Sequence, residues 1–201
     1  MPLLDQMLTE SGIEREEIEA VAAAAGPGSF TGLRIGVSTA RALAQALKVP
    51  AVPVCTLEAL AEAVPTPGAL ICPLLDARRS QIYAAIYKRQ LEKPFGLEIL
   101  LAPTVIDLNE LIQSLCSFDQ PVTLIGEGLH SYSPALAEAL PSDRIAPAPY
   151  RLCRAALVAL RARRVLQEKP DASYLDLLPS YLRRPEAERL AEERQKQGGS
   201  L

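Results

Sequence analysis

A glycine-rich turn holds the residues of this sequence that are best suited to chemistry. Residues 26–36 read Gly-Pro-Gly-Ser-Phe-Thr-Gly-Leu-Arg-Ile-Gly, after an apolar run at 18–25 that predicts a strand and before a helix predicted over about 31–48. Such turns often bind phosphate, because unpaired N–H groups and the positive end of the helix dipole meet there. The residues that would form this site are Gly26, Gly28, Ser29, Thr31, Gly32 and Gly36.

The spacing of this turn differs from that of the common nucleotide-binding loops. It has neither the Gly-Lys-Ser/Thr ending of a P-loop nor a Gly-x-Gly-x-x-Gly run. Ser29 does not match a hydrolase nucleophile, because it lies in Gly-Ser-Phe-Thr-Gly and His130, the only histidine, would have to be its base. One enzymatic alternative stays open: a small-molecule kinase or ATPase that uses residues 26–32 as a phosphate cradle.

Other candidate residues give weaker signals. Asp76 with Arg78 and Arg79 could be a carboxylate beside a phosphate clamp, but a charged hairpin turn is the favoured interpretation. A single histidine cannot supply the two close histidines that a metalloprotease places on one helix face. The cysteines lack a Cys-x-x-Cys pair and lie mostly in apolar surroundings, which indicates buried free thiols in a reducing cytosol. They are Cys55, Cys72, Cys116 and Cys153.

The composition narrows the class of protein. The 201 residues suffice for one large domain or two small lobes. No apolar run approaches the roughly 20 residues that cross a bilayer, and the first residues do not resemble a signal peptide, so a cytoplasmic protein without membrane contact is expected. A net charge of −3, no tryptophan and 4% aromatic residues argue against a chain that by itself grips nucleic acid over a wide surface.

The helix predicted after the turn has two apolar ridges. One is a seam with spacings of three and four, made of Phe30, Leu33, Val37, Ala40, Ala44 and Leu47. The other consists of small residues four apart: Gly32, Gly36, Ala40 and Ala44. Small residues allow another backbone to approach closely. One side of the helix is expected to lie on a sheet and the other to be a partner surface; that both are internal core is the open alternative.

The remaining pattern predicts a two-lobed α/β chain. A helix at 1–9 ends at Ser11 and Gly12, and a linker follows at 65–68. Strands are predicted at 51–55, 69–75, 81–88, 97–102 and 122–126, and helices at 57–64, from Thr104 to Ser117, after Ser133-Pro134 and at 150–169. The expected domains are a first lobe at 1–65, a second lobe at 66–185 and a charged tail at 186–201.

The run from Gly26 to Gly36 resembles the signature of the bacterial TsaB (YeaZ) family. Asp76-Ala77-Arg78-Arg79 with Tyr83, Gly126-Glu127-Gly128 and Tyr181-Leu182-Arg183 resemble further motifs of that family, in the same order. The resemblance implies an actin-like ASKHA fold and a non-catalytic scaffold and activator in the synthesis of threonylcarbamoyladenosine in tRNA. The implied partner is TsaD, which transfers a threonylcarbamoyl group to the adenosine next to the anticodon. A TsaE-type ATPase, a homodimer and indirect contact with tRNA are also implied, and no cofactor of the chain's own.

The resemblance also implies an interface made by two helices. From the first helix it would take Leu4, Met7 and Leu8, and from the second Phe30, Leu33, Arg34, Val37, Ser38 and Arg41. Family members normally open with a strand carrying an Asp-Thr pair, a hairpin and a full helix, roughly 30 residues that have no counterpart before Leu3-Leu4. The first lobe is therefore expected to be incomplete, and nucleotide binding by this chain alone is not expected.

Overall fold

Two β-sheets with helices packed on their faces form the fold. A computed structural model describes residues 2–78, 80–90, 96–140 and 152–183. The elements in chain order are helix α1 (Pro2–Ser11), a short 3-10 turn (Arg15–Glu17), β1 (Val21–Gly26), α2 (Phe30–Leu47), β2 (Ala51–Cys55), α3 (Thr56–Ala61), β3 (Leu70–Asp76), β4 (Gln81–Arg89), β5 (Leu97–Asp107), α4 (Leu108–Cys116), β6 (Val122–Ile125), α5 (Gly128–Ala139) and α6 (Ala155–Glu168).

The first sheet consists of β1 and β2, which run parallel and are connected through α2. Ser29 caps α2, since its side-chain oxygen accepts a hydrogen bond from the N–H of Gly32, and Lys48 ends the helix in the left-handed conformation. One side of the sheet packs against α2, and Val52 and Val54 pack with Val158 of α6. Strand β1 begins at Val21, three residues after the predicted start of the strand, and helix α2 begins at Phe30, one residue before its predicted start.

The second sheet has the strand order β5-β4-β3-β6. Strands β3, β4 and β5 pair antiparallel, whereas β6 pairs parallel to β3. Leucines of α4 and α5 cover one face of the sheet, and Leu57 and Leu60 of α3 lie against the other. Burial on both faces explains why β3 reads as a nearly continuous apolar run.

A buried charged cluster links α3, β4 and α6. Arg89 is 1% exposed, and its guanidinium bonds the carbonyl oxygens of Ala61 (2.6 Å) and Val64 (3.1 Å) and the carboxylate of Glu62 (3.3 Å). Arg164 of α6 approaches the other oxygen of Glu62 at 3.3 Å. A buried carboxylate surrounded in this way is compensated, so the cluster fastens the end of α3 to both neighbours.

Three predicted boundaries were wrong. Thr104 does not cap a helix but lies within β5 opposite Ala84, and α4 begins after Asp107. Pro134 lies inside α5, which begins at Gly128 because the turn before it is packed against Leu74. Helix α6 begins at Ala155, later than the predicted position 150, which lies outside the described residues. For Thr104 and Pro134, strand pairing or a tertiary contact overrides a local cap signal.

The predicted charged tail at 186–201 also lies outside the described residues. Among the described helices, none has the length and hydrophobicity that a membrane crossing requires.

Candidate partner-binding surface

Helix α2 has one covered side and one open side. Leu33 and Val37 are buried at 8% and 2% exposure, and Val37, Ala40 and Ala44 pack with Ala51 of β2 and with Leu177. We call the opposite side the outer face of α2. It consists of the exposed residues Thr31, Gly32, Ile35, Gly36, Ser38, Thr39 and Ala42. Small side chains make this face smooth, and Ile35, 63% exposed, projects from it.

Within residues 2–78, 80–90, 96–140 and 152–183, no contact requires the two glycines of the outer face. A Cβ on Gly36 would meet nothing within 4 Å, and one on Gly32 would make only an ordinary contact with the Ser29 side chain. Glycine within a helix is less favourable than alanine by about 0.8–1.0 kcal/mol. Two such residues one turn apart therefore lower helix stability without relieving any clash inside the molecule.

The turn at Gly26, in contrast, is filled by the chain itself. Residues 174–183, which we call the 174–183 segment, pass over it, and the N–H of Ser180 bonds the carbonyl oxygen of Ala25 at 2.7 Å. A Cβ on Gly26 would overlap the carbonyl oxygen of Ser180, and Gly26 has a φ of 134°. Backbone packing thus explains this glycine without a bound phosphate.

An aromatic and guanidinium cluster joins the 174–183 segment to the start of α2. The Nε–H of Arg34 donates a hydrogen bond to the hydroxyl of Tyr181 at 3.1 Å. The guanidinium carbon of Arg34 lies 4.1 Å from the centre of the Phe30 ring, and the rings of Phe30 and Tyr181 have centroids 5.1 Å apart. Both rings stay 38% exposed, so the cluster is on the surface.

The Asp76 motif forms a hairpin turn. The carboxylate accepts hydrogen bonds from the N–H of Arg78 at 2.6 Å and from the hydroxyl of Tyr132 at 3.1 Å. Burial, and then the hydrogen bond to Asp76, raise the pKa of Tyr132. Arg183 donates to the carbonyl oxygen of Ala77 at 2.6 Å, so the 174–183 segment also reaches this turn. These contacts support the charged-turn interpretation over a catalytic carboxylate.

The second glycine motif is likewise structural. A Cβ on Gly126, whose φ is 116°, would overlap the carbonyl oxygen of Leu74, and a Cβ on Gly128 would lie within 3.0 Å of Leu74 atoms. Both glycines let α5 begin directly on β3.

The cysteines are free, as expected, but not all are buried. Cys72 is buried, which raises the pKa of its thiol to about 12, and burial raises that of Cys153 to about 11. Cys116 is exposed, contrary to the prediction, because it lies at the end of α4. Within the described ranges, no group of three or more histidine, cysteine or acidic residues could hold a metal ion.

The structure leaves six of the nine predicted interface residues at least partly exposed and buries the other three. Met7, Phe30, Arg34 and Ser38 are exposed, and Leu4 and Arg41 are partly buried. Leu8, Leu33 and Val37 are instead buried by the chain's own residues, and the interface role of all nine stays a prediction. Val37, Ala40 and Ala44 of the predicted seam face the sheet, whereas Phe30 is exposed. The predicted ridge of small residues is divided, because Ala40 and Ala44 are buried and only Gly32 and Gly36 are exposed.

Sequence reasoning missed several exposed residues. Leu3 (82% exposed) and Ile35 are large apolar side chains in solvent, and Tyr181 contacts α2 from far along the chain. A signal for Ile35 was present in the sequence, since it is a large apolar residue off the seam and next to Gly36.

Comparison with known proteins decides the family. A family model described as "TsaD: tRNA N6-adenosine threonylcarbamoyltransferase" matches residues 1–190. The tRNA threonylcarbamoyladenosine biosynthesis protein TsaB of Bacillus subtilis is 32% identical over 189 residues, which cover 94% of this chain and 80% of that protein. The chain belongs to the TsaB family. The TsaB protein of Haemophilus influenzae is 27% identical over 195 residues, with 91% of this chain and 78% of the relative covered.

Solved structures confirm the fold of this TsaB family member. YeaZ from Pseudomonas aeruginosa superposes with a TM-score of 0.72 at 24% identity, covering 90% of this chain and 82% of the other. A second crystal structure, of an uncharacterized Pseudomonas aeruginosa protein similar to the peptidase YeaZ, gives a TM-score of 0.70 with the same identity and coverage. The resemblance to the TsaB (YeaZ) family and the ASKHA-like α/β fold predicted from the sequence are therefore confirmed.

Proposed function

We propose that this chain is a non-catalytic scaffold and activator that pairs with a TsaD-like subunit through the outer face of α2. The paired subunit would transfer a threonylcarbamoyl group to the tRNA adenosine next to the anticodon. The names of the TsaB relatives support a role in threonylcarbamoyladenosine biosynthesis. The catalytic step is assigned to the partner, since a chain with one histidine lacks the histidine pair of a TsaD-type metal site.

The observation that carries this proposal is the open space beside Gly32 and Gly36. These glycines destabilise their own helix, and no contact in the described part of the chain requires them; a second backbone that packs closely against them would explain them. Ile35, one turn after Thr31 and one turn before Thr39, projects from the same outer face, where an apolar side chain can fill a pocket of a partner.

Other parts of the assembly follow from the same proposal. A TsaE-like ATPase would join the pair, and tRNA would be gripped mainly by the partner, in agreement with the net charge of −3. The same face can pair with a second copy of this chain when the partner is absent. The cytoplasm is the proposed location, and ATP or ADP would be bound only in the assembled complex.

Calorimetry with the purified TsaD-like subunit of the same genome tests the pairing. The wild-type chain should bind, and Gly36→Leu should weaken binding at least about 30-fold, as expected at the centre of an interface. The matched control is Ala159→Leu, which adds the same bulk to an exposed position of α6 and should leave the Kd unchanged. Equal binding by both variants, or no binding by the wild type, would contradict the proposal.

The kinase or ATPase alternative is tested by calorimetry of the isolated chain with ATP and magnesium. Its main sequence support was the glycine-rich turn, and Gly26 is explained by its contact with Ser180. Binding by the isolated chain, abolished by substitutions in residues 28–32, would favour the enzyme over the scaffold.

A further inference from the structure

The cluster of Phe30, Arg34 and Tyr181 holds an exposed arginine in one orientation. The hydrogen bond from Nε fixes the plane of the guanidinium, and the Phe30 ring supports one face of it. Tyr181 in turn is fixed by its own ring contact with Phe30. An exposed arginine normally samples many rotamers, and ordering it on binding costs up to about 2 kcal/mol. Here that ordering is achieved before any partner arrives.

The held guanidinium keeps its terminal donors for another molecule. Within the part of the chain that the structure describes, Nε is the only nitrogen of Arg34 with a hydrogen-bond partner, and no carboxylate lies within ion-pair distance of it. The two Nη groups of arginine form a planar fork that matches the two oxygens of a carboxylate. Arg34 lies one helical turn from Thr31 and Ser38, so this fork is presented at the edge of the outer face of α2, on the flank away from Gly32 and Gly36.

We infer that Arg34 is a specificity-determining residue that binds a carboxylate of the TsaD-like partner, and that Tyr181 is its positioning residue. This inference rests on the proposed function, because it needs a partner on the outer face of α2. The small residues of that face allow a partner helix to approach closely, but they discriminate little between different partners. A charged pair at its edge fixes the register of the partner helix and rejects surfaces that lack the acidic group.

The arrangement also assigns a role to the 174–183 segment. Leu177 anchors the segment in the core beneath α2, and Ser180 bonds Ala25. After Tyr181, Arg183 donates a hydrogen bond to the carbonyl oxygen of Ala77 at 2.6 Å. Because the segment is held on both sides of Tyr181, its hydroxyl becomes a rigid acceptor for Arg34. The partner surface is thus built from residues that are distant in sequence, and α2 alone would present a mobile arginine.

A double-mutant cycle measured with the TsaD-like subunit tests the inference. Arg34→Gln should weaken binding about 30-fold, as for loss of a bidentate, charge-assisted contact. Tyr181→Phe keeps the ring on Phe30 but removes the acceptor, and should weaken binding about 5-fold. Added to Arg34→Gln, it should have no further effect. Arg163→Gln, at an exposed position of α6, is the matched control and should leave the Kd unchanged.

The dependence of the Kd on salt tests whether Arg34 acts in binding through its charge rather than only through the stability of the chain. The wild-type Kd should rise with ionic strength more steeply than that of Arg34→Gln, because screening weakens a charge pair. Urea unfolding of each variant, measured alone, should match the wild type within about 0.5 kcal/mol for these surface changes. Arg34→Lys should not restore binding, since lysine lacks the fork.

The outcomes are distinct. No binding by the wild-type chain overturns the proposed function, and the inference with it. Wild-type binding with an unchanged Kd for Arg34→Gln overturns the inference and leaves the proposed function standing. An additive cycle, in which Tyr181→Phe weakens Arg34→Gln as much as it weakens the wild type, overturns the positioning role of Tyr181. The wild-type chain could also self-associate without binding the TsaD-like subunit. If Arg34→Gln weakens that self-association, the site belongs to a second copy of this chain and the choice of partner is overturned.

Discussion

The glycines of the two turns and the glycines of α2 are used in opposite ways. At Gly26 and Gly126, a positive φ and a neighbouring backbone carbonyl leave no room for a side chain. At Gly32 and Gly36, the backbone is helical and the space beside it is open. The first pair is explained by the fold of this chain. No contact with the described residues requires the second pair, which is why the outer face of α2 is the proposed partner surface.

The arginines show the same contrast. Arg89 is buried and bonds two carbonyl oxygens and a carboxylate of its own chain. Arg34 is exposed and bonds Tyr181 through Nε. Arg89 has its donors paired within the chain and so contributes to stability. The exposed Nη donors of Arg34 would instead contribute to partner binding in the proposed interface. Substitutions should therefore separate into those that change unfolding and those that change binding.

Loss of the buried arginine should have the largest effect on stability. Arg89→Met leaves Glu62 without its buried partner and should lower the free energy of unfolding by about 3–5 kcal/mol. Urea unfolding followed by circular dichroism measures this. The matched variant Arg34→Met, on the surface, should change stability by less than about 0.5 kcal/mol. Equal effects of the two variants would show that the contrast between the arginines is wrong.

A side chain at a turn glycine should have the next largest effect. Gly126→Ala combines an unfavourable φ with overlap on Leu74 and should lower the free energy of unfolding by about 2–3 kcal/mol. The same urea titration reports it. A variant as stable as the wild type would mean that the turn can move away from β3 freely, which the packing of α5 against Leu74 contradicts.

A methyl group on α2 should act in the opposite direction. Gly36→Ala has open space for its Cβ and should raise the free energy of unfolding by up to about 1 kcal/mol, because alanine is the better helix former. Thermal unfolding of the isolated chain detects this change. Destabilisation by alanine at this position would reveal an internal requirement for the glycine and remove the main support for the partner surface.

Thiol reactivity gives the smallest and most local test. Burial raises the pKa of Cys72 to about 12, so almost no thiolate is present at pH 8, and the side chain is also inaccessible. Cys116 is exposed and should be alkylated first. Mass spectrometry after short iodoacetamide treatment should find Cys116 modified and Cys72 intact until urea is added. Early modification of Cys72 would contradict the packing of the second sheet.

The sequence predicts the local parts of this fold well and the long-range parts poorly. The apolar runs of β3 and β4 and the periodicity of α2 depend on neighbouring residues, and these elements were predicted close to their observed bounds. Thr104 was assigned to a helix because a cap signal is local, whereas its place in β5 depends on pairing with β4. Local pattern cannot report which strand is available as a partner.

The same limit applies to the candidate site. The small-residue ridge of α2 is visible in the sequence, but periodicity alone does not say that Ala40 and Ala44 face the sheet while Gly32 and Gly36 stay exposed. The contact between Arg34 and Tyr181 joins residues 147 positions apart, and only the folded 174–183 segment brings them together. The glycine-rich turn suggested phosphate for the same reason, since nothing near Gly26 in sequence indicates that Ser180 covers it.

Site-specific photo-crosslinking tests whether the outer face of α2 contacts the TsaD-like subunit. A benzophenone amino acid replaces Ile35 on the outer face of α2 in one variant and Leu160, an exposed residue of α6, in another. Each variant is mixed with the TsaD-like subunit and irradiated. We expect a covalent complex of the two proteins from position 35 and almost none from position 160. Crosslinking from position 160 alone, with none from position 35 in a mixture that still binds, would contradict it.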